Sequence, residues 1–418
     1  MRLSPMTALA LACFPAAAFA YQTTDQIMWP AQGIYPAYPR EVPARPVQAF
    51  VSGGLYHDSN LFRLSDGANT QALLGTTQRS DDIRRFGAGL KADLRFSQQH
   101  LLLNARIDDY RYSRFSFLDH TGYNADATWR WRAGRLWSGN VGYARRRLLS
   151  AFGVLQAPVR DMITETHAFA NANRMLSPRW RVRGGVDRYG YNYSNPQVTT
   201  SLDRSTAVTV GGDYVTPQEN SVGAQEKYTV GRYAGTPGFG GLDNRFHESE
   251  LSAVASWRVT GKSQFVGRIG YTNRKHEQLS ERDYHGVTGR LDYAWTPGAK
   301  TLLNFAAWRE LEAIENALAN YALSQGVSFG PHWAPTLRTV VQANVFRLKR
   351  EYLGDAALLP AGTPERVDTV RGANLSFGYS PRRFLRVSLG LERGTQGSNY
   401  AGGDYTYDLV SANARFLF

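Results

Sequence analysis

The chain closes on YTYDLVSANARFLF, residues 405–418. From Val410 onward every second residue is apolar: Val410, Ala412, Ala414, Phe416 and Phe418. Ser411, Asn413 and Arg415 sit between them, and Leu417 is the one lapse. Strict alternation places the two sets on opposite faces of a strand. A strand closing a soluble sheet would seldom leave a terminal aromatic at the carboxylate. A stave of a membrane barrel would, because its outer face meets lipid and its inner face meets water.

The same period recurs upstream. Phe86, Ala88, Leu90, Ala92, Leu94 and Phe96 alternate with Gly87, Gly89, Lys91, Asp93 and Arg95. Tyr123, Ala125, Ala127, Trp129 and Trp131 alternate with polar partners, as do Val287, Gly289, Leu291, Tyr293 and Trp295. Ala373, Leu375, Phe377 and Tyr379, then Leu385, Val387, Leu389 and Leu391, complete the series. Short turn signals punctuate it: Ser97-Gln98-Gln99, Ala133-Gly134-Arg135, Ser177-Pro178-Arg179, Thr216-Pro217-Gln218, Thr260-Gly261-Lys262, Thr296-Pro297-Gly298, Ala334-Pro335-Thr336 and Ser380-Pro381-Arg382. Proline presets one turn dihedral and glycine admits the positive one. Longer polar connections alternate with these turns near 57–80, 115–120, 148–162, 194–204, 236–245, 276–283, 312–320, 352–368 and 395–404.

Short turns at one end and long loops at the other are the asymmetry of an outer-membrane barrel. The count predicts an all-β, transmembrane antiparallel β-barrel of about 18 strands, with about 16 as the alternative. Trp131, Trp137, Trp180, Trp257, Trp295 and Trp333 all fall close to a short turn, where interfacial aromatics collect. Arg145-Arg146-Arg147 puts charge on both faces and reads as a strand end near the outer rim.

The remaining bounds agree. The chain has 418 residues, a net charge of +13, 12% aromatic residues and 40 Gly, a strand-rich profile without an apolar run long enough for a membrane helix after the N-terminus. Arg2, an apolar stretch from Met6 to Phe14, and Ala18-Phe19-Ala20 read as a secretory signal over residues 1–20. Cys13, the only cysteine, lies inside it, so no disulfide is expected; a lipoprotein reading of Leu11-Ala12-Cys13 is disfavoured by the short apolar region and Pro15. An export signal also argues against a nucleic-acid partner for the basic chain. Residues 21–47, with Pro30, Pro36, Pro39, Pro43 and Pro46, read as an extended periplasmic arm, tether or partial plug, and residues 48–418 as the barrel.

Enzyme signals are weak. There is no Gly-x-Ser-x-Gly elbow, no cysteine pair and no His-Glu-x-x-His motif. His247, Glu248 and Glu250 are the densest acid–histidine cluster, but alternation sends 247 away from the other two, and Asp108 and Asp109 likewise diverge. No metal or cofactor is expected. The polar face is more informative: Lys91, Arg95, Arg106, Arg130, Arg132, Arg181, Arg183, Lys227, Arg268, Arg290, Arg338 and Arg386 are read as lumen-facing, with Asp93, Asp108, Asp126, Asp187, Asp292 and Glu392 among them. An arginine excess inside a wide polar lumen favours anionic solutes, while the plainer reading is cross-strand pairing that solubilises the wall. Tyr110, Tyr112 and Tyr189 share that face and suit either stacking on sugar rings or packing.

One stretch stands apart. After a glycine-rich first strand come Asp58-Ser59-Asn60-Leu61-Phe62-Arg63-Leu64-Ser65-Asp66. Asp58, Asn60 and Asp66 lack the glycine turn and bidentate Glu of a calcium loop, so a side-chain-capped loop is the plainer reading. This stretch, with Asp58, Asn60, Phe62, Arg63 and Asp66, resembles the EpsL-like outer-membrane proteins of exosortase-associated exopolysaccharide operons. The resemblance is sharp over these residues and architectural elsewhere. It implies export of an exopolysaccharide across the bacterial outer membrane, with inner-membrane synthesis machinery, outer-membrane lipid and lipopolysaccharide as partners; the arginine-rich wall makes an acidic polymer the expectation. The alternating end at Phe416 and Phe418 also resembles the C-terminal assembly signal of outer-membrane proteins. A general or anion-selective porin remains the alternative; an adhesin or a lipid-modifying barrel enzyme stands further off.

Overall fold

The computed structural model describes residues 46–155, 158–195, 202–233, 245–278, 280–313, 321–353 and 364–418. The stretch read as a secretory signal, residues 1–20, and nearly all of the stretch read as a periplasmic arm, residues 21–47, lie outside the described residues.

Eighteen antiparallel strands form one sheet. They are β1 (Val47–Asp58), β2 (Asp81–Phe96), β3 (Gln99–Tyr112), β4 (His120–Ala133), β5 (Trp137–Leu149), β6 (Met162–Met175), β7 (Trp180–Tyr193), β8 (Leu202–Val215) and β9 (Ser221–Tyr233). The second half comprises β10 (Arg245–Thr260), β11 (Ser263–His276), β12 (Tyr284–Gly298), β13 (Thr301–Ala313), β14 (Tyr321–Thr336), β15 (Thr339–Leu353), β16 (Val367–Arg382), β17 (Leu385–Ser398) and β18 (Tyr405–Leu417). Each strand pairs with the next, and β1 pairs with both β2 and β18, so the sheet is closed. At the seam Phe50 faces Leu417 and Val51 faces Phe416, and the Phe418 N–H donates to the Ala49 carbonyl at 2.9 Å. Closure leaves no row of unpaired backbone groups, which is the condition for crossing hydrocarbon.

Alternation decides what each face meets. Leu55, Phe86, Val210, Leu251, Ile269 and Leu389 point outward and are 60–64% exposed. An apolar surface of this extent, running around the barrel, belongs in lipid. Trp129, Trp137, Trp180, Trp295 and Trp333 are exposed on the same outer face close to the short turns, where the indole suits a membrane interface. The short turns are tight: Phe96 pairs with Gln99 across Ser97-Gln98, with Ser97 at a φ of 54°. The chain is therefore a membrane-spanning barrel of the outer-membrane type.

The triple arginine resolves by register. Arg146 is opposite Glu165 and ion-paired with it, while Arg145 and Arg147 are exposed on the outer face just below the end of β5.

Leu389→Arg, in the apolar band of β17, should weaken folding into bilayers by ~2–4 kcal/mol, and Thr395→Arg near the long-loop rim by ~1 kcal/mol or less. Urea titration of bilayer-inserted protein measures both.

Candidate functional site: the barrel interior

The long-loop end of the interior is organised by the loop after β1. Asp58, the last inward residue of that strand, is fully buried. Its carboxylate accepts the Asn60 N–H at 3.0 Å and the Arg63 guanidinium at 2.8 Å. Asn60 completes a side-chain turn: Oδ1 accepts the Leu64 N–H at 3.0 Å, and Nδ2 donates to the carbonyls of Leu64 at 2.8 Å and Thr406 at 3.0 Å. These bonds fold the loop inward and tie it to β18.

Arg63 adopts a φ of 56°, a conformation few non-glycine residues take. Its side chain repays that strain by lying over the Tyr407 ring at 3.6 Å while held by Asp58. Burial alone would lower the Arg63 pKa, but the charge of Asp58 and then the Tyr407 ring oxygen outweigh it and hold the guanidinium above its ordinary range. Its pairing is complete throughout the neutral range and fades only above the ordinary arginine pKa, so mild alkali should not release the loop. Phe62 is fully buried, with Phe115 and Phe152 edge-on at 4.8 and 4.7 Å. Asp66 is fully outside this knot, its side chain 95% exposed, so it does not converge with Asp58 and Asn60 around an ion.

Behind the loop the packing crosses the barrel. Leu148, Ile163, Tyr191, Tyr233, Phe246, Ala322 and Tyr352 form one buried cluster. Ile163 on β6 and Tyr352 on β15 are nine strands apart (15 − 6), half of the eighteen-strand circuit. The expectation of a wide, open polar lumen is therefore corrected at this end, which is filled by apolar side chains. Inward tyrosines produce this: Tyr110, Tyr112, Tyr191, Tyr233, Tyr352, Tyr405 and Tyr407 all lie near the long-loop ends of their strands. Tyr189 is also inward, stacked on His167 at 4.1 Å.

The charged wall is largely compensated. Lys91, Arg95, Arg106, Arg130, Arg132, Arg181, Arg183, Lys227, Arg268, Arg290 and Arg386 occupy inward register positions, Arg130 and Arg132 being exposed at the short-turn mouth. Arg338 does not: Thr336 pairs with Thr339, which leaves Leu337 and Arg338 as an exposed two-residue turn. Alternation cannot be carried through a turn, and that is why the sequence misplaced it. Arg106 meets Asp108 at 2.7 Å, Arg290 meets Asp292 at 2.8 Å, and Arg181 and Arg183 meet Asp213 at 2.8 and 3.3 Å. Arg268 bridges Glu250 and Glu310. Arg85, Arg146 and Arg274 are further inward arginines that alternation alone did not single out, paired with Asp108, Glu165 and Glu248. Glu248 and Glu250 share the inner face, and His247 points outward to Glu277.

Between these pairs lies an uncharged amide row. Asn304 faces Gly330, Asn344 faces Asn374, and Asn374 faces Glu392 across β13 to β17. Asn304 and Asn344 are 5% and 1% exposed, and neither side chain has a hydrogen-bond partner among the described residues. Unpaired amides cost free energy in a dry interior, and burial closes both of these to the bore.

No protein-family model matches the chain, and no curated protein matches it. Among solved structures it is similar to Pseudomonas aeruginosa OccK1 (OpdK), at 8% identity and a TM-score of 0.48, over 89% of this chain and 99% of that one. It is also similar to P. aeruginosa OccK5 (OpdH), at 11% identity and a TM-score of 0.46, over 89% and 98%. A third is P. aeruginosa OccK2 (OpdF) in complex with glucuronate, at 10% identity and a TM-score of 0.48, over 89% and 98%. At these values no residue role passes from them to this chain.

Arg63→Ala strands the buried Asp58 carboxylate and should destabilise the seated loop by ~3–5 kcal/mol. The expected readout is faster protease cleavage within residues 59–80 while the strands stay protected; unchanged cleavage would mean the pair does not hold the loop.

Proposed function

We propose that this barrel is an outer-membrane channel through which an exopolysaccharide leaves the cell, with residues 59–80 as its stopper. The observation that carries the reading is the charge-compensated inner wall. On this wall Arg290, Arg268 and Arg181 are already neutralised by Asp292, Glu310 and Asp213. A wall of this kind lets a neutral or weakly acidic polymer slide without being trapped by charge. That shifts the expected cargo away from a strongly acidic polymer. The EpsL-like stretch supports the same assignment, since Asp58, Asn60, Phe62 and Arg63 are the residues that seat the stopper. The barrel is proposed as a conduit with no chemistry of its own; polymer synthesis at the inner membrane supplies the driving force.

The exposed Arg130 and Arg132 at the short-turn mouth favour a second reading, a porin for small anions. The two are separated in planar bilayers. For an exporter, the intact barrel should conduct little, and replacing residues 59–80 by a short Gly-Ser turn together with Tyr191→Ala and Tyr352→Ala in the cross-bore cluster should open a large current that the strain's exopolysaccharide blocks. Deletion of the gene should abolish polymer at the cell surface. A large steady current from the intact barrel, indifferent to polymer and reduced in anion selectivity by Arg130→Ala with Arg132→Ala, together with normal secretion in the deletion strain, would establish the porin instead.

A further inference from the structure

The outer wall carries a feature that conduction does not use. Arg347 on β15 and Arg371 on β16 are direct cross-strand partners, both exposed on the outward face. Like charges directly opposite each other in an antiparallel pair repel. Neither arginine has a carboxylate partner among the described residues. On the next row towards the long loops, Lys349 faces Gln325, which faces Arg309. Arg309 is held flat against the wall, donating to the Gln325 side-chain oxygen at 2.8 Å and the Val287 carbonyl at 3.1 Å, both neutral acceptors. Lys349 contacts Glu351 at 2.6 Å, so the acid on this patch is one against four cations.

A groove of about 600 Å³ runs along the same staves, lined by both cationic and apolar residues. Its outward floor is Gly289 and Ala307, paired on neighbouring strands with Arg309 and Leu291. Ile269, Val287, Leu291 and Val327 rise around it, 63%, 51%, 47% and 57% exposed. Two small residues among large ones make a trough in an otherwise even apolar wall. Gly289 shares a cross-strand row with Arg309 and Lys349, and Ala307 shares one with Arg347 and Arg371. Trough and cations therefore lie side by side a few residues from the long-loop ends of their strands, on the side of the outer leaflet.

We propose that this patch binds a phosphorylated, multiply acylated glycolipid of the outer leaflet. An acyl chain lies over Gly289 and Ala307, and phosphates are clamped by Arg347 and Arg371, with Arg309 and Lys349 beside them. A phosphate between two guanidiniums removes the repulsion and gives charge-assisted hydrogen bonds. The cations span β13 to β16, three interstrand spacings or ~14 Å, which matches a disaccharide bearing two phosphates better than one glycerophosphate. The bound lipid would anchor the barrel in the asymmetric membrane.

Native mass spectrometry of the full-length barrel, supplied with diphosphoryl lipid A or with phosphatidylglycerol, tests this. Wild type should retain one lipid A per barrel in preference to phosphatidylglycerol. Arg347→Gln with Arg371→Gln should lower the retained fraction roughly tenfold. Ala307→Phe, which fills the trough and leaves every charge in place, should lower it too. Arg145→Gln with Arg147→Gln, on the outer face of β5, should leave it unchanged. Heat-modifiable electrophoretic migration reports folding of each variant, and should the double arginine variant fail to fold, Arg371→Gln and Ala307→Phe decide the matter. Equal retention by those variants, equal retention of phosphatidylglycerol, or an equal loss in the β5 variant would overturn the proposal.

Discussion

A chain that crosses hydrocarbon must satisfy every backbone N–H and C=O from within, and a sheet does so only by closing on itself. That constraint places the first and last strands side by side. The Phe418 N–H on the Ala49 carbonyl, and the run of partners from Phe50–Leu417 to Asp58–Leu409, are its local expression. Once the cylinder is closed, the period of two along each strand sorts side chains without further instruction. Val410, Phe416 and Phe418 are exposed on the lipid side, while Tyr405, Tyr407 and Leu409 are buried inside.

Closure with eighteen strands creates a second problem, because a cylinder of this width leaves space that side chains on the wall cannot fill alone. The protein treats its two ends differently. Toward the long loops, inward tyrosines meet across the bore and Phe62, Phe115 and Phe152 pack into the remaining space. Lower on the wall, arginines and acids pair laterally and amides lie between them. Buried ion pairs seldom add net stability, but losing one partner is costly, so such pairs fix positions. Asp58–Arg63 acts in this way on the loop: it gives the loop after β1 one seated arrangement beside the cluster that crosses the bore.

Much of this was legible in the residues. The eight short turns, the nine long connections and the outward faces of β2, β4, β12, β16, β17 and β18 follow from period and turn chemistry, and all agree with the register. Alternation also placed eleven of the twelve selected cations on inward positions, failing at Arg338 where the strand had already turned. What alternation cannot express is what stands opposite. Arg181 beside Asp213, or Arg274 beside Glu248, look like surplus charge until the register is known. The inward tyrosines carry the same period whether they line water or pack against β15 from across the bore. The stretch from Asp58 to Asp66 was conspicuous, but its inward fold depends on Thr406 and Tyr407, more than three hundred residues away.

The seated loop is the hinge of the functional reading, and thiol accessibility measures it directly because the described barrel contains no cysteine. Leu64 is 5% exposed and Leu73, in the same loop, is 50% exposed. With each replaced singly by cysteine in the bilayer-inserted protein, a membrane-impermeant maleimide added from the long-loop side should modify Leu73→Cys rapidly and leave Leu64→Cys unmodified until denaturant releases the loop. Equal rates at the two positions under native conditions would contradict a stopper seated in the barrel.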